Sequence, residues 1–429
     1  MSRIGVEFVY AMVERPNTAG RKKVPMDWSD SAAQATFRAE VREFLRVRLP
    51  DPYRTAADGE EASGWQVDRK SADPARRETA IEWANALAEK GWVAPHWPTE
   101  FGGAGLSVLE QFIFNQEMAT AEAPAVGGMG VSLIGPTLIV HGSDEQKQEH
   151  LPKILSGEVA WAQGYSEPGA GSDLASLQTR AVRDGDDYVI NGQKIWTSGA
   201  QFADWLFALV RTDPEAPKHR GISFVMMDIK TPGLTVRPLT DMGWQQPFNE
   251  TFFEDVRVPV RNRVGEENRG WYVGMTLLDF ERSGIAGATQ YAREITTLVD
   301  FVHTDAGKGF ARPDFATTRL ALADRRIETE VLFNFAFRIV SLQNRGMVPN
   351  YEASANKLFG SELHQRLALT GTRAFGLYGN IWDRETPRAP LEARFTRDYV
   401  RSVPHTIFSG SSEIQRNVIA TRGLGLPRG

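Results

Sequence analysis

The sequence predicts an α+β protein in which two helical regions flank a β domain. Three observations support this: helical periodicity early in the chain, alternating apolar and polar residues with turn signals in the middle, and helical periodicity again towards the end. A chain of 429 residues also exceeds what one simple core accommodates. We therefore place an N-terminal helical domain at residues 26–158, a middle β domain at 159–268 and a C-terminal helical domain at 269–429.

The first 25 residues lack clear periodicity and are assigned to a poorly determined N-terminal extension, residues 1–25. Two interpretations stay open: Met26 is the natural start of the protein, or 1–25 forms a loosely ordered arm. The first helix is expected to have Ser29 as its N-cap, because a serine hydroxyl can accept a hydrogen bond from the free N–H groups of a helix start. Apolar residues then follow at helical spacing, namely Phe37, Val41, Phe44 and Leu45.

Helical and strand patterns fill the three predicted domains. Further helices are predicted in the N-terminal domain over residues 78–90, 106–121, 132–141 and 144–155. In the first of these, one apolar stripe is formed by Ile81, Ala84, Leu87 and Ala88. The C-terminal domain is predicted to contain helices over residues 270–288, 293–304, 313–344, 353–373, 395–402 and 412–421.

The middle domain carries the strand patterns. Strands are predicted over residues 188–190, 205–210, 222–227, 234–238 and 251–258. Asn191-Gly192 directly follows the first of them. This dipeptide predicts a hairpin turn, since both residues tolerate the positive φ that tight hairpins need.

Composition and charge argue against several classes of protein. The net charge of −5 argues against a nucleic-acid role, because phosphate binding needs a basic surface. No apolar run approaches the ~20 residues of a membrane-spanning helix, and the first ten residues do not resemble a signal peptide. The chain has no cysteine, which excludes disulfides, thiolate nucleophiles and cysteine-based metal sites. No metal is expected, and a cytoplasmic location fits this composition.

A loop of small residues is the most informative stretch. The run Tyr-Ser-Glu-Pro-Gly-Ala-Gly-Ser-Asp occupies residues 165–173 and follows a strand. Glycines let backbone amides approach a ligand closely, and serines add hydroxyl donors. Taken alone, such a loop fits either a ligand cradle or a structural turn, and the turn is the commoner of the two.

A second run, Asn-Gly-Gln-Lys-Ile-Trp-Thr-Ser-Gly-Ala, occupies residues 191–200. Trp196 could form a wall for an aromatic ring, and the hydroxyl residues after it could donate hydrogen bonds to ring atoms. The alternative is that Trp196 is a core residue on a strand, which is the commoner place for tryptophan.

Together, the two runs resemble the acyl-CoA dehydrogenase family, whose members carry Thr/Ser-Glu-Pro-x-x-Gly-Ser-Asp and then Asn-Gly-x-Lys-x-Trp-Ile-Thr/Ser. Stretches at 91–105, 142–152 and 409–417 resemble other motifs of the family. The resemblance covers roughly residues 28–427. It implies an N-terminal helical domain, a middle β-sheet domain and a C-terminal domain like a four-helix bundle.

The resemblance also implies a bound FAD. Ser166 corresponds to the residue that hydrogen-bonds the flavin ring, and Tyr165 supplies the adjoining backbone. Trp196 and Ser198 correspond to residues that flank the isoalloxazine.

Other residues are assigned to FAD or to the substrate by the same resemblance. Ser411 and Glu413 correspond to C-terminal positions that contact FAD. Ser172, in the first run, is assigned both to the cofactor site and to the pantetheine arm of coenzyme A. Asp279 and Arg282 correspond to positions that bind the pantetheine and its attached groups.

A general base is needed to remove the α proton of a thioester, and a carboxylate in an apolar pocket is a strengthened base because its pKa rises. Many family members place a Glu just before the glycine of the C-terminal motif, but this chain has Ser409 there. A subgroup places the Glu in a Leu-x-x-Glu-Arg pattern on the helix after the β domain. Glu281 occupies that pattern here, among apolar neighbours, and is the predicted base. The alternative is an ordinary solvated Glu on a helix.

The resemblance implies FAD-dependent α,β-dehydrogenation of an acyl-CoA thioester to trans-2-enoyl-CoA, with electrons passed to an electron-transfer flavoprotein, in a homo- or hetero-oligomer (dimer or tetramer). Two segments depart from the family pattern. In residues 303–314 no Arg occupies the place where the family has one, and residues 375–380 replace the usual Gln-x-x-Gly-Gly-x-Gly. One alternative is therefore a non-catalytic or half-site subunit of a heteromeric acyl-CoA dehydrogenase; the other is an oxidase or flavin monooxygenase on the same fold.

Overall fold

The computed structural model describes residues 30–54, 64–276, 285–311 and 315–427. Within these ranges, helices precede an eight-stranded sheet and further helices follow it. The predicted α+β architecture, with a sheet domain between two helical domains, is confirmed. Across the described ranges, no helix combines the length and apolar character that a bilayer span requires. The extension at 1–25 lies outside the described residues.

The N-terminal domain contains seven helices among the described residues: α1 (Ala32–Arg48), α2 (Asp51–Arg54), α3 (Trp65–Asp68), α4 (Pro74–Ala88), α5 (Val108–Thr120), α6 (Gly135–His141) and α7 (Asp144–Leu155). The N-cap of α1 is Ser31, so the prediction of Ser29, which itself lies outside the described residues, is wrong. Ser31 Oγ accepts from Gln34 N at 3.3 Å, and Gln34 Oε1 accepts from Ser31 N at 2.8 Å. This reciprocal capping box needs a Glu or Gln three residues after the cap, and Ser29 has Ala32 there.

The buried face of α4 differs from the predicted stripe. Ile81 is 57% exposed, whereas Trp83 is fully buried and donates from its indole Nε1 to the carbonyl of Pro124 at 2.8 Å. The large indole contributes more buried apolar area than the isoleucine, and its N–H finds a partner only on the inner side. The helix is therefore rotated so that Trp83 faces the core.

The middle domain is one sheet with strands β1 (Trp161–Gly164), β2 (Arg180–Asp184), β3 (Asp187–Lys194), β4 (Trp205–Arg211), β5 (Ile222–Asp228), β6 (Leu234–Leu239), β7 (Phe248–Pro259) and β8 (Arg263–Val264). The order is β6-β7-β3-β2-β4-β5-β8, and β1 pairs in parallel with β4. All five predicted strands are present.

The two faces of this sheet bury different residues. On one face, Phe207 and Phe224 stack with ring centroids 5.6 Å apart and join the core formed by the N-terminal helices. On the other face, Leu206 and Val225 belong to a core made within the β domain. β1 contributes to both cores, through Trp161 and Ala162, whereas Tyr188 and Ile190 of β3 belong to the core within the β domain.

The dipeptide Asn191-Gly192 does not form the predicted turn. It lies inside β3 at an irregularity in the pairing with β7, and the chain turns earlier, between Asp184 and Asp187. Gly192 has φ 148°, and a Cβ there would lie 2.7 Å from the Cα of Thr179. The glycine is required because another backbone segment approaches it closely, which is also typical of bulges.

The C-terminal domain contains α8 (Gly270–Thr276), α9 (Ile285–His303), α10 (Asp305–Lys308), α11 (Phe315–Gln343), α12 (Tyr351–Ala374), α13 (Arg394–Arg401) and α14 (Ser412–Val418). The predicted helix over 270–288 lies partly outside the described residues. The predicted break between residues 288 and 293 is wrong, because α9 is continuous there. Its inner face is unbroken, with buried Ala288, Tyr291, Ile295, Leu298 and Val302.

One buried carboxyl group in this domain has a strongly shifted pKa. Burial of Glu294 on α9, together with the nearby negative charge of Asp398, raises its pKa to about 7, although Arg394 acts in the opposite direction. Gln290 Nε2 donates to Glu294 Oε1 at 2.9 Å. The fold therefore favours the neutral form of this side chain.

We expect Glu294→Gln to raise the free energy of unfolding at pH 8 more than at pH 5.5. The folded pKa exceeds the unfolded value of 4.5, so ionisation of the unfolded state destabilises the wild type as pH rises from 4.5 to 7, by up to about 3 kcal/mol. Urea unfolding at the two pH values measures the difference. Exposed Glu385→Gln is the control, and an equal effect of Glu294→Gln at both pH values would contradict the pKa assignment.

Candidate active site

The two sequence runs are brought together at one end of the sheet. Tyr165 follows β1 and Trp196 follows β3. The backbone N–H of Ile195 donates to the carbonyl of Ser166 at 2.9 Å. The loop predicted to contact a flavin therefore runs alongside the segment predicted to flank it.

A buried ion pair joins the two runs. Lys194 Nζ donates to Glu167 Oε1 at 2.7 Å and to the carbonyl of Tyr165 at 3.2 Å, and its side chain has no exposed surface. The carboxylate of Glu167 also accepts from the backbone N–H groups of Gln178 at 2.6 Å and Thr179 at 2.9 Å. Each charge is thus compensated, as a buried charge requires.

The electrostatics of this pair follow from burial and proximity. Burial lowers the pKa of Lys194 to about 8, although the negative charge of Glu167 acts in the opposite direction. Burial also tends to raise the pKa of Glu167, but Lys194 and the hydrogen bonds from Thr179 and Gln178 outweigh it, so that this pKa is lowered. Sequence reasoning missed both residues as a pair, although each lies inside a quoted run.

Trp196 is not a core residue. Its side chain is 58% exposed, its φ is 61°, and it touches the edge of Phe248 with ring centroids 5.9 Å apart. A positive φ is uncommon for a bulky residue, and such strained positions cluster at functional sites. The structure therefore rules out a core position for Trp196, and its role as a wall for an aromatic ring stays a prediction.

The loop itself is open to a ligand. A Cβ added at Gly169 or Gly171 meets no atom of the described residues within 4 Å. The space beside the loop, the half-buried Ser166 and the exposed indole fit a planar ring system, which a flavin provides. Ser198 is half-buried and Ser172 is exposed, next to the ion pair of Asp173 with Lys218.

The remaining predicted cofactor residues lie in the C-terminal domain. Ser411 is the N-cap of α14 and accepts from Ile414 N at 3.4 Å. The pKa of Glu413 is lowered by its own backbone N–H and by Ser411. Lys357 Nζ donates to the carbonyl of Gly410 at 2.7 Å. The described contacts of Ser411 and Glu413 are all within this domain and do not reach the two runs.

A cavity of about 700 Å³ lies between α5, α9 and α11 and is lined mostly by apolar side chains, including Phe112, Val131, Ile285 and Val340. This volume is within the range of small-molecule sites, ~300–1,000 Å³. Sequence reasoning did not find it, because its walls come from distant parts of the chain.

Gln66 connects the cavity to the second run. Gly128 lines the cavity, and a Cβ there would lie 3.3 Å from Gln66 Oε1. Gln66 Nε2 donates to the carbonyl of Gly199, next to Ser198, at 3.3 Å. A single side chain therefore spans the distance from the cavity wall to the predicted flavin site.

The predicted base Glu281, with Asp279 and Arg282, lies outside the described residues. The first residues described after them, Ile285 and Ala286, line the cavity.

The two segments that depart from the family pattern meet in space. Phe310 contacts Tyr378 edge to face at 5.0 Å, and Phe301 contacts Phe375 at 5.8 Å. Leu377, between the two aromatic residues of the second segment, is 87% exposed. These aromatic residues pack around the buried Phe375, and Tyr378 and Leu377 are exposed.

A sheet domain between helical domains thus presents an open loop and an exposed indole near an apolar cavity, an arrangement that suits an enzyme with a planar cofactor and an apolar substrate. Profiles of the acyl-CoA dehydrogenase N-terminal, middle and C-terminal domains match residues 31–158, 162–256 and 268–424. The chain belongs to the acyl-CoA dehydrogenase family, whose members are flavin-dependent oxidoreductases.

Individual relatives are similar over nearly the whole chain. Acyl-CoA dehydrogenase IpdE1 of Mycobacterium tuberculosis is 35% identical over 399 residues, covering 91% of this chain and 97% of that protein. The structure titled Tcur3481-Tcur3483 steroid ACAD has a TM-score of 0.80 at 36% identity, covering 94% and 100% of the two chains. The ChsE4-ChsE5 complex from Mycobacterium tuberculosis has a TM-score of 0.75 at 34% identity, with coverage of 94% and 100%.

We expect Lys194→Met and Glu167→Gln each to lower the free energy of unfolding, Lys194→Met by roughly 3–5 kcal/mol, because it leaves a buried carboxylate without its partner. The double variant should lose less than the sum of the single losses. Urea unfolding measures all three. Arg257→Met, which removes exposed ion pairs with Asp184 and Asp187, is the control and should lower the free energy of unfolding by under about 1 kcal/mol. Additive losses in the double variant of Lys194 and Glu167 would contradict a direct interaction between them.

Proposed function

We propose that the protein is an FAD-dependent acyl-CoA dehydrogenase that converts an acyl-CoA thioester to trans-2-enoyl-CoA, with an electron-transfer flavoprotein as electron acceptor. The observation that carries the proposal is the juxtaposition of three features. The loop after β1 is tied to the segment after β3, Trp196 is exposed beside them, and Gln66 connects them to an apolar cavity.

The chain's residues fit FAD at this position. Tyr165 and Ser166 would present backbone and hydroxyl groups to the ring, and Trp196 and Ser198 would flank it. Ser411 and Glu413 are proposed as further FAD contacts, and Ser172 as a contact of both FAD and the pantetheine arm. When bound, FAD would supply a hydride acceptor. The protein's part is to orient the thioester, exclude water and remove a proton.

We propose Glu281 as the base that takes the α proton. Support comes from its Leu-x-x-Glu-Arg context, from the serine at position 409, and from Ile285, four residues later, which lines the cavity. An apolar surrounding raises the pKa of a carboxyl group and strengthens it as a base. Asp279 and Arg282 are proposed to hold the pantetheine and its attached groups.

The cavity is proposed to receive the acyl group. Its size accommodates a bulky group, and a structure similar to this chain is titled a steroid ACAD. We therefore propose a ring-containing, steroid-derived acyl group as the substrate class. A cytoplasmic location, expected from the cysteine-free composition, stays a prediction.

A second candidate function is a half-site or non-catalytic subunit of a heteromeric enzyme. The two departing segments pack against each other through Phe310 and Tyr378 and leave Leu377 exposed, and similar structures are titled as pairs of different chains, ChsE4-ChsE5 and Tcur3481-Tcur3483. In this family FAD sites lie near subunit contacts, so we propose a dimer or tetramer, with a different chain as the partner in this second case.

The purified chain should be yellow, bind FAD without a covalent bond, and lose its flavin absorbance when mixed anaerobically with members of a panel of straight, branched, cyclic and steroid-derived acyl-CoA esters. A colourless chain that takes up no added FAD would contradict the proposal for the isolated chain and favour the heteromeric candidate. Rapid oxygen consumption during turnover, without an added acceptor, would point instead to an oxidase or flavin monooxygenase.

Glu281→Gln should slow anaerobic flavin reduction by roughly 10²–10⁴-fold, because it keeps the shape of the side chain and removes its basicity. FAD content should stay at the wild-type level, and Glu266→Gln, in the same part of the chain, should reduce its flavin normally. Wild-type rates in Glu281→Gln would show that another group is the base. Partial recovery on adding Ser409→Glu would place both positions at the same α carbon.

A further inference from the structure

The cavity wall carries polar side chains among its apolar ones. They come from four parts of the chain: His96 before α5, Gln111 and Asn115 on α5, Ser132 before α6, and Gln343 at the end of α11. Gln111 and Asn115 are four residues apart and therefore share one face of their helix. Phe112 of α5 and Val340 of α11 belong to one core cluster, so the two helices that carry the amides pack against each other.

Three of these polar side chains already make a hydrogen bond to the backbone. Gln111 Nε2 donates to the carbonyl of Leu106 at 2.9 Å, and Ser132 Oγ donates to that of Gly128 at 3.0 Å. His96 hydrogen-bonds the backbone of Val131, and burial lowers its pKa to about 4, so the ring is neutral at neutral pH.

Two amides are left without such a bond. The side chains of Asn115 and Gln343 make no hydrogen bond to any residue in the described part of the chain, although each can donate two and accept two. A purely hydrocarbon ligand that displaced water from them would leave these groups unsatisfied, which is unfavourable.

The cavity is polar at these points but not charged. Among the described residues that line it, none is Asp, Glu, Lys or Arg. A ligand carboxylate placed beside Asn115 and Gln343 would meet no cation among the described residues of the lining, which is unfavourable for a buried charge. The described wall therefore matches a ligand that is apolar overall, uncharged, and able to exchange hydrogen bonds with an amide side chain.

We propose that the acyl group of the substrate carries a neutral oxygen substituent, a ketone or a hydroxyl, beyond the reacting carbons, and that Asn115 hydrogen-bonds this oxygen, with Gln343 on the facing helix. Asn115 is then a specificity-determining residue. This inference rests on the proposed function, and it separates an oxygenated neutral acyl group from both plain hydrocarbon and dicarboxylic acyl groups.

The test compares matched acyl-CoA esters in the FAD-loaded enzyme. Dodecanoyl-CoA and 3-cyclohexylpropanoyl-CoA are the parent esters. In the oxygenated set, each methylene beyond the β carbon is replaced in turn by a carbonyl group; in a third set, the far end of the parent carries a carboxylate. At least one ketone position should raise kcat/KM over its parent by about three- to tenfold, and the carboxylate esters should be the poorest substrates.

Variants then assign the effect to the cavity. Asn115→Leu, of similar size, should abolish the preference for the ketone, measured as the ratio of kcat/KM for the ketone ester to kcat/KM for its parent. Gln343→Leu tests the facing helix and serves if Asn115→Leu does not fold. Thr120→Val removes a polar group of α5 that is exposed and should keep the preference. FAD content and the far-UV spectrum establish that each variant is folded and loaded.

Three results would overturn the inference while leaving the proposed function intact: no ketone position exceeds its parent in the wild type, the preference survives in both cavity variants, or a carboxylate ester is the best substrate. If no ester of any set reduces the flavin, the proposed function itself fails. A preference for the ketone that both Asn115→Leu and Gln343→Leu remove would establish the site.

Discussion

The buried ion pair of Lys194 and Glu167 is the interaction on which the geometry of the candidate site depends. Lys194 has no exposed surface, so its charge requires a partner, and Glu167 and the carbonyl of Tyr165 both supply one. Because these groups belong to two different runs, satisfying the charge also fixes the loop after β1 against the end of β3. The exposed indole of Trp196 and the hydroxyl of Ser166 lie immediately next to the two partners. A requirement of electrostatics thus sets the positions of residues predicted to contact the flavin.

The cavity imposes a different constraint, because none of the described residues that line it is charged. The N-terminal helix α5 and the C-terminal helices α9 and α11 meet around it, and they present apolar side chains with a few neutral polar ones. In such a low-dielectric space a carboxyl group is a stronger base than in water, and a thioester is shielded from hydrolysis. Gln66 connects this cavity to the run that contains Lys194. The candidate site therefore combines a compensated ion pair in the β domain with a mostly apolar cavity between helices of the two helical domains.

The sequence predicted the order of the domains and most elements, because periodicity reports which side of a local element faces a core. The sequence-based predictions failed where packing against distant residues selected one of two locally possible arrangements. Ile81 and Trp83 each fit a helical stripe, and it is the larger indole, with a hydrogen-bond partner for its N–H, that faces the core. Asn191-Gly192 has the composition of a turn, but the close backbone of Thr179 makes it a bulge within a strand. The N-cap of α1 is Ser31 rather than the predicted Ser29, because of these two serines only Ser31 has a glutamine three residues later.

By itself, the sequence determined the family and predicted the two runs that contact a flavin and the base, since these depend on residue types at fixed spacing along the chain. Only the tertiary structure decided that Trp196 is exposed and that Lys194 and Glu167 form an ion pair. It also decided that a mostly apolar cavity lies close to the second run, with the side chain of Gln66 between them. Each of these depends on residues far apart in sequence, such as Gln66 and Gly199 or Phe112 and Val340. Burial and the pairing of charges are properties of the packed molecule, and local periodicity carries no information about which distant segment will supply the partner.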